Sequence, residues 1–262
     1  MLKGFWSNKA LIKTLVKRDV VGRYQNSMLG ILWSFFNPLF MLAVYTFIFS
    51  EVFKARWAGG SDSKAEFALL LFAGLIVFNL FAECFNRAPS TILANANYVK
   101  KVIFPLDILA WVNLGAALFH ALICILVWLL FYMVAFGIPH LTVFLFPFVL
   151  LPLLFFIVGV SWFFSALGTF LRDIVQLTAV LTTAIMFMSP ILYPIEAIPE
   201  RYRYILQWNP LSVSVGEMRS ILYWGMVPDL KEYMIYFIFC ILVSWLGFTF
   251  FQKSRKGFAD VL

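Results

Sequence analysis

Long runs of apolar residues separated by short polar segments dominate this chain. A helix needs about 20 consecutive apolar residues to cross a bilayer, whereas strands of a membrane barrel alternate over about 10 residues. The runs match the helical pattern and predict an all-α, polytopic membrane protein. Six transmembrane helices are predicted, at residues 31–50, 67–85, 108–136, 141–170, 174–193 and 231–251.

Composition supports an integral membrane protein. The chain has 63% hydrophobic and 13% charged residues, whereas soluble domains carry about 25% charged residues. The N-terminal segment is charged over its first two dozen residues, which predicts that it is not a cleavable signal peptide. Residues 1–262 are therefore interpreted as a single transmembrane domain without a separate soluble catalytic domain.

The distribution of basic residues predicts the orientation. An even number of spans places both termini on the same side of the membrane. If that side is the cytoplasm, the cytoplasmic segments hold 13 of the 20 Lys and Arg residues. This bias agrees with the excess of Lys and Arg in cytoplasmic loops and predicts that both termini are cytoplasmic.

The first 30 residues have the pattern of an amphipathic helix at the membrane surface. Lysines recur every fourth residue while apolar residues cluster on another face. Lys17, Arg18 and Arg23 are candidate ligands of a phosphorylated lipid headgroup, since guanidinium groups bind phosphate oxygens in a forked geometry. The alternative is a basic tail that only attracts anionic lipid.

A polar and basic segment at residues 86–107, here called the island, interrupts two apolar runs. It carries Arg87, Lys100 and Lys101, is expected to face water, and can form a short amphipathic helix from Ser90 to Lys101. Pro105 suits the first turn of the following span. An ordinary solvated loop is the alternative.

The sequence contains no motif for a chemical reaction. No GxxxxGK[ST], HExxH or GxSxG motif occurs, and the cysteines lack metal-site spacing. Glu83 in the second span is expected to pair with Arg87, one helical turn later. His120 has no acidic neighbour in sequence, so a neutral, hydrogen-bonded packing role is favoured over a proton relay. The chain is predicted not to be an enzyme, and any energy input must come from a partner.

Three motifs follow one another along the chain: RDVVGRYQNSMLGILWSFFNP, NANYVKKVIFPLDIL, and SPILYPIEAIPERYRYILQWNPLSVSVGEMRSILYWG. Together they span nearly the whole sequence and resemble the type-2 ABC transporter permeases that export polysaccharides. Within that family the resemblance is strongest to the membrane subunit of O-antigen lipopolysaccharide exporters. One departure is that relatives commonly carry a charged pair after Phe-Pro, where this chain has Leu106 and Asp107.

The resemblance implies a homodimer in the bacterial inner membrane, joined to two copies of a separate ATPase. That partner would bind ATP and magnesium. This chain would bind no cofactor, metal or nucleic acid. The island would contain the coupling helix, with Tyr98, Lys100 and Lys101 as candidate ATPase contacts. Residues 190–228 would form re-entrant gate helices at the outer mouth, with a surface loop held by interfacial aromatic residues as the alternative. Candidate channel and gate residues are Tyr45, Phe49, Tyr193, Tyr204 and Trp208.

The predicted function is export of a lipid-diphosphate-linked polysaccharide of the O-antigen type across the inner membrane. Export of a capsular polysaccharide or teichoic acid is the alternative within the family. A membrane-embedded glycosyl- or acyltransferase would need acidic or histidine catalytic residues at a cavity. A passive channel or scaffold would not need an ATPase.

Overall fold

The computed structural model describes residues 2–25, 27–48, 63–99, 104–195, 198–207 and 209–261, and every regular element among them is helical. This confirms the all-α prediction. The helices are α1 (Leu2–Ser7), α2 (Lys9–Tyr24), α3 (Trp33–Thr46), α4 (Lys64–Arg87), α5 (Thr91–Ala94), α6 (Ala96–Val99), α7 (Ile108–Phe136), α8 (Phe146–Phe170), α9 (Ile174–Met188), α10 (Glu200–Gln207), α11 (Pro210–Arg219), α12 (Leu230–Ser254) and α13 (Phe258–Val261).

Four helical segments in the described part of the chain are long and apolar enough to cross a membrane. They are Lys64–Ala94, Ile108–Phe136, Leu141–Phe170 and Leu230–Gly257. Four of the predicted spans, those at 67–85, 108–136, 141–170 and 231–251, fall within them. The chain is therefore a multi-pass membrane protein.

The other two predicted spans correspond to shorter apolar helices, Gly30–Thr46 and Ile174–Met188. At 1.5 Å per residue the second is about 22 Å long, short of the roughly 30 Å hydrocarbon core of a bilayer. The first approaches residues 49–62, which lie outside the described part of the chain. The count of six spans therefore stays a prediction.

Helix α4 forms the centre of the bundle and α12 lies at its edge. In their most apolar stretches, 89% of residues are buried in the segment that contains α4 but only 22% in the segment that contains α12. Helix α12 packs mainly on α8. A Cβ atom at Gly159 or Gly247 would overlap the backbone of the other helix, so these glycines let α8 and α12 approach closely.

Helix α2 runs lengthwise along the first half of α7. Ile12 and Leu15 pack in a small core that includes Ile108, and Tyr24 contacts His120 further along. From Ile108 to His120 an α-helix rises about 18 Å, so α2 follows α7 rather than only touching its end. The apolar face predicted for this helix is confirmed, and its position at the membrane surface stays a prediction.

After α9 the chain forms two short helices, α10 and α11, and a π-helical turn at Ser220–Trp224. The Asn209 side chain accepts a hydrogen bond from the Leu211 amide and caps α11, with Pro210 in the first turn. Helix α11 packs against α4 and α8. The short helices predicted here are confirmed, whereas their re-entrant path through the membrane stays a prediction.

Candidate functional site

Complementary charges connect α2 to α4. Asp19 and Arg23 are four residues apart on α2, and Glu83 and Arg87 are four residues apart on α4. Asp19 pairs with Arg87 and Arg23 pairs with Glu83, so the two helices are antiparallel at this contact. Residues four apart lie on the same helix face, which allows both pairs to form at once. These four residues are called the charged interlock below.

The Asp19–Arg87 pair is bidentate. Two guanidinium nitrogens of Arg87 donate to the two carboxylate oxygens of Asp19, at 2.7 and 2.8 Å. This forked arrangement fixes orientation better than a single contact. The side chains are 34% and 28% exposed, so solvent screening limits the pair to roughly 1 kcal/mol or less. The predicted Arg87–Glu83 pair is longer, at 3.9 Å, and Asp19 is the main partner of Arg87.

His120 extends the charged interlock to α7. Arg23 Nη2 donates to Glu83 Oε1 at 2.7 Å, His120 Nδ1 lies 3.0 Å from Glu83 Oε2, and Tyr24 Oη lies 3.1 Å from His120 Nε2. Because a carboxylate only accepts, we assign the proton to Nδ1; in the neutral ring, Nε2 then accepts from Tyr24. Arg23 Nη1 is 3.1 Å from Nδ1, but with this assignment two donors face each other without a hydrogen bond.

The contacts of His120 agree with the neutral, hydrogen-bonded packing role expected from the sequence. Its acidic partner could not be read from neighbouring residues, because Glu83 is 37 residues away in sequence and contacts it in space. Burial raises the pKa of the Tyr24 hydroxyl, which keeps it a neutral hydrogen-bond donor to His120. Side chains from α2, α4 and α7 are therefore joined at one point.

Arg18 and Tyr98, predicted to serve different roles, contact each other. Arg18 Nη1 donates to the Tyr98 hydroxyl at 2.9 Å. The Tyr98 ring stacks on Phe104 with centroids 4.2 Å apart, and the Phe104 carbonyl accepts from Arg255 at 3.3 Å. The candidate headgroup residue on α2 and the candidate coupling residue in the island thus belong to one contact chain.

The island does not face water along its whole length, so that expectation is wrong for its first half. Ala88, Pro89, Thr91 and Ile92 are buried. A Cβ atom at Gly168 would overlap the Pro89 backbone, so α8 lies directly against this turn. The single helix expected from Ser90 to Lys101 is instead two short helices, α5 and α6, separated at Asn95.

Several predicted site residues have no described neighbours. Lys100, Lys101, Phe49 and Trp208 lie outside the described residues, and Tyr204 lies in α10 with its side chain outside them. Lys17 is exposed on α2. Of the five candidate channel residues, only Tyr45 and Tyr193 therefore have side-chain positions to compare.

Tyr193 lines a cavity of about 530 Å³ between α4, α8, α9 and the start of α11. Its walls include Phe81, Phe156 and Phe187, and the Tyr193 hydroxyl donates to the Phe187 carbonyl at 2.6 Å. Tyr45 lies on α3, packed against the main core, and does not line this cavity. The structure thus does not bring these two candidates to one site.

Sequence reasoning missed Asp19, Tyr24 and the role of Glu83 as a junction. The signal that identifies the charged interlock is the pair of opposite charges four residues apart, as Asp19 with Arg23 and as Glu83 with Arg87. Antiparallel helices with these patterns satisfy both pairs. The contact of His120 depends on how α7 packs and has no such signal.

The long apolar helices define a multi-pass membrane protein, in which ion pairs tie the N-terminal helix α2 to α4. The family model described as ABC-2 type transporter matches residues 10–223. The chain belongs to that family, which confirms the family assignment made from the three motifs.

Curated relatives match the chain almost from end to end. An O-antigen export system permease protein RfbA from Klebsiella pneumoniae is 29% identical over 253 residues, covering 96% of this chain and 95% of the relative. The RfbA protein of Myxococcus xanthus is 25% identical, covering 99% and 98%. The polysialic acid transport protein KpsM of Escherichia coli is 25% identical, covering 97% of both chains.

Proposed function

We propose that this chain is the permease subunit of an ATP-driven exporter that moves a lipid-diphosphate-linked polysaccharide of the O-antigen type outward across the bacterial inner membrane. The observation that carries the proposal is its similarity to O-antigen export permeases over 95% or more of both chains. Because the match runs from end to end, the similarity extends over α2, the island and the region after α9 and is not limited to one shared motif.

The proposed assembly is a homodimer of six-span subunits that forms the channel, with two copies of a separate ATPase that bind ATP and magnesium. The absence of a phosphate loop from the sequence supports a separate energy source. The shorter apolar helices Gly30–Thr46 and Ile174–Met188 would supply the first and fifth spans, which local bilayer thinning accommodates. Both termini and the island would lie in the cytoplasm, where Lys and Arg concentrate.

The island is the proposed docking site of the ATPase, through Tyr98, Lys100 and Lys101. Contacts around Tyr98 support this role: the ring is stacked on Phe104 and its hydroxyl accepts a hydrogen bond from Arg18. A push on the island would be passed to α2 through Arg18 and to α4 through the charged interlock. Transmission of a rigid-body shift requires packed contacts of this kind.

The proposed headgroup site is the cytoplasmic surface of α2 at Lys17, Arg18 and Arg23. Lys17 is exposed, whereas the guanidinium groups of Arg18 and Arg23 already contact Tyr98 and Glu83. A diphosphate would therefore compete with these partners for the arginines. Binding of the headgroup would loosen α2 from the island, which links substrate arrival to the ATPase side.

The proposed channel residues are Tyr45, Phe49, Tyr193, Tyr204 and Trp208. Aromatic rings offer flat apolar faces to sugar rings, and the aromatic cavity beside Tyr193 supports such a contact. Residues 190–228 are the proposed gate at the outer side. Helices α10 and α11 are too short to span a bilayer, which suits helices that enter the membrane and return to the same side.

The docking proposal is tested by purifying the chain with its ATPase and measuring hydrolysis stimulated by a lipid-linked glycan. Replacing Tyr98, Lys100 and Lys101 together by Ala should lower stimulated hydrolysis by about tenfold or more, as loss of a binding hot spot does. The control is Lys253→Ala with Lys256→Ala, which removes two exposed charges near the C terminus. A triple variant that is as active as this control would contradict the docking site.

The headgroup proposal needs a variant that does not leave Glu83 unpaired. Arg18→Gln with Arg23→Gln and Glu83→Gln removes both guanidinium groups together with the carboxylate that Arg23 contacts. Transport of the lipid-linked glycan should be lost, while Glu83→Gln alone should keep it. Equal transport by the two variants would reject the headgroup site.

A second candidate is export of a capsular polymer, favoured by the similarity to the polysialic acid transport protein. The two candidates differ in the glycan that stimulates hydrolysis. Purified complex in vesicles, supplied in turn with each lipid-linked glycan, separates them.

A further inference from the structure

Arg219 joins three segments of the chain in the interior of the bundle. It is the last residue of α11, and its side chain is buried, with the residue 8% exposed. Nε donates to the Leu70 carbonyl in α4 at 2.8 Å. The two terminal nitrogens donate to the carbonyls of Pro190 at 2.6 Å and Ile191 at 2.8 Å, just after α9.

The residue type at position 219 is specific to this geometry. A guanidinium group is planar, stays charged and directs its N–H groups in fixed directions, whereas a lysine ammonium is a single point. Only the forked group can donate to carbonyls on α4 and on the segment after α9 together. A buried charge is tolerated when its hydrogen bonds are satisfied, and the three carbonyls meet that need here.

Gly74 provides the space that Arg219 occupies. It lies one turn after Leu70 on α4, and a Cβ atom there would lie 2.9 Å from Arg219 Nη2 and 3.4 Å from Val215. Glycine is unfavourable within a helix compared with alanine. Its presence at this position therefore fits a requirement for the close approach of the guanidinium group.

The start of α11 is tied to the same segment as its end. Asn209 Nδ2 donates to Ser189 Oγ at 2.8 Å, so both ends of α11 are bonded to residues 189–191. Arg219 in turn bonds this unit to α4. Leu70 and Glu83 are 13 residues apart on α4, about 20 Å along the helix, so this contact lies at the end of α4 remote from the charged interlock.

We propose that Arg219 is a positioning residue of the transport pathway, which holds α11 and residues 189–191 against α4 and keeps that end of the bundle closed. The inference rests on the proposed function, because it requires that the bundle encloses a pathway. When the Arg219 bonds break, α11 and residues 189–191 separate from α4 and small solutes pass. Gly74 acts through Arg219, because its lack of a side chain leaves room for the Arg219 guanidinium group.

The test is passive efflux of a small fluorescent dye from vesicles that contain the full chain with its ATPase, without nucleotide and without glycan. Arg219→Gln should raise efflux by about tenfold or more, since loss of even one bond from a charged donor shifts a two-state equilibrium by that factor. Arg219→Lys should raise it less. All rates are compared at equal amounts of folded, monodisperse complex.

Gly74→Ala and Gly216→Ala form a matched pair. Both place a methyl group on a helix, but a Cβ atom at Gly216 meets nothing within 4 Å. Gly74→Ala should raise efflux severalfold and Gly216→Ala should not change it. In the double variant, Gly74→Ala should add nothing to Arg219→Gln, because two changes that act through one contact are not additive.

The inference is overturned if folded Gly74→Ala or Arg219→Gln vesicles are as tight as those with Gly216→Ala. If Arg219→Gln does not fold, the comparison of the two glycine variants decides the question. Failure of the wild-type complex to transport a lipid-linked glycan, together with leaky Gly74→Ala vesicles, would reject the proposed function and leave this inference standing.

Discussion

The two ends of α4 are held in different ways. Near its end at Arg87, side chains pair with side chains, as Asp19 with Arg87 and Arg23 with Glu83, and these groups are roughly a fifth to a third exposed. Near Leu70, one buried guanidinium group donates to three backbone carbonyls. The partly exposed side chains at the first end can exchange their partners for water or phosphate. At the second end, no other donor among the described residues replaces the Arg219 guanidinium group at these carbonyls if it moves away.

This difference fits the function proposed above. Under that proposal, a contact that a headgroup or an ATPase must rearrange should be built from partly exposed pairs, each worth little alone. A contact that must stay shut until the whole bundle shifts should be buried and fully satisfied, because its loss is then unfavourable. The predictions below test this contrast, beginning with the largest expected effect.

Replacing Arg219 by Met should lower the free energy of unfolding most. It leaves the carbonyls of Pro190 and Ile191 without their donor, at about 1–3 kcal/mol for each buried unpaired group. Chemical unfolding in detergent measures the change. Arg201→Met is the control, because Arg201 is exposed and contacts only the face of Tyr202 among the interactions described. Equal effects of the two variants would refute the assigned role of Arg219 in holding the bundle.

Replacing Asp19 by Ala should lower the free energy of unfolding by roughly 1 kcal/mol or less, because the pair with Arg87 is partly exposed. Reversing one charge, as in Asp19→Arg, should lower the free energy of unfolding further, because Arg87 then faces a like charge. The exchanged pair Asp19→Arg with Arg87→Asp should regain most of the loss. A double-mutant cycle gives the coupling energy, and a value near zero would remove the pair from the charged interlock.

Much of the fold could be predicted from the sequence, and the reason is physical. The span at 108–136 coincides with α7 because a long apolar run between polar segments has only one way to satisfy its backbone in lipid. The spans that begin at residues 31 and 174 are less certain because their helices are short. The site was only partly predictable: Arg18, Arg23 and Tyr98 were selected, but Arg219 was not.

What escaped prediction depends on packing between distant segments. Arg219 is 149 residues from Leu70 in sequence, and its acceptors are backbone carbonyls, which leave no trace in the pattern of side chains. Gly74 looks like one small residue in an apolar run until the guanidinium group beside it is known. For His120 a hydrogen-bonded role was predicted but its partner was not, because sequence neighbours do not identify Glu83.

Raising the salt concentration should affect the two ends of α4 differently, by a smaller amount of free energy than the substitutions above. Salt screens partly exposed charges, with a Debye length of about 10 Å at 0.1 M and about 3 Å at 1 M. The Asp19–Arg87 coupling energy should therefore fall by a few tenths of a kcal/mol between these conditions. The effect of Arg219→Met should stay constant because that group is buried. Equal salt dependence at both ends would show that they do not differ in kind.

The smallest change is expected from Tyr98→Phe. It removes the hydroxyl that accepts from Arg18 but keeps the ring stacked on Phe104. Because Arg18 is exposed, stability should change by no more than about 0.5 kcal/mol. Glycan-stimulated ATP hydrolysis should fall, because the proposed push on the island reaches α2 through the Arg18 bond, but by less than in Tyr98→Ala, which also removes the ring. Hydrolysis by Tyr98→Phe equal to that of the wild type would show that the ring rather than the Arg18 bond carries the motion of the island to α2.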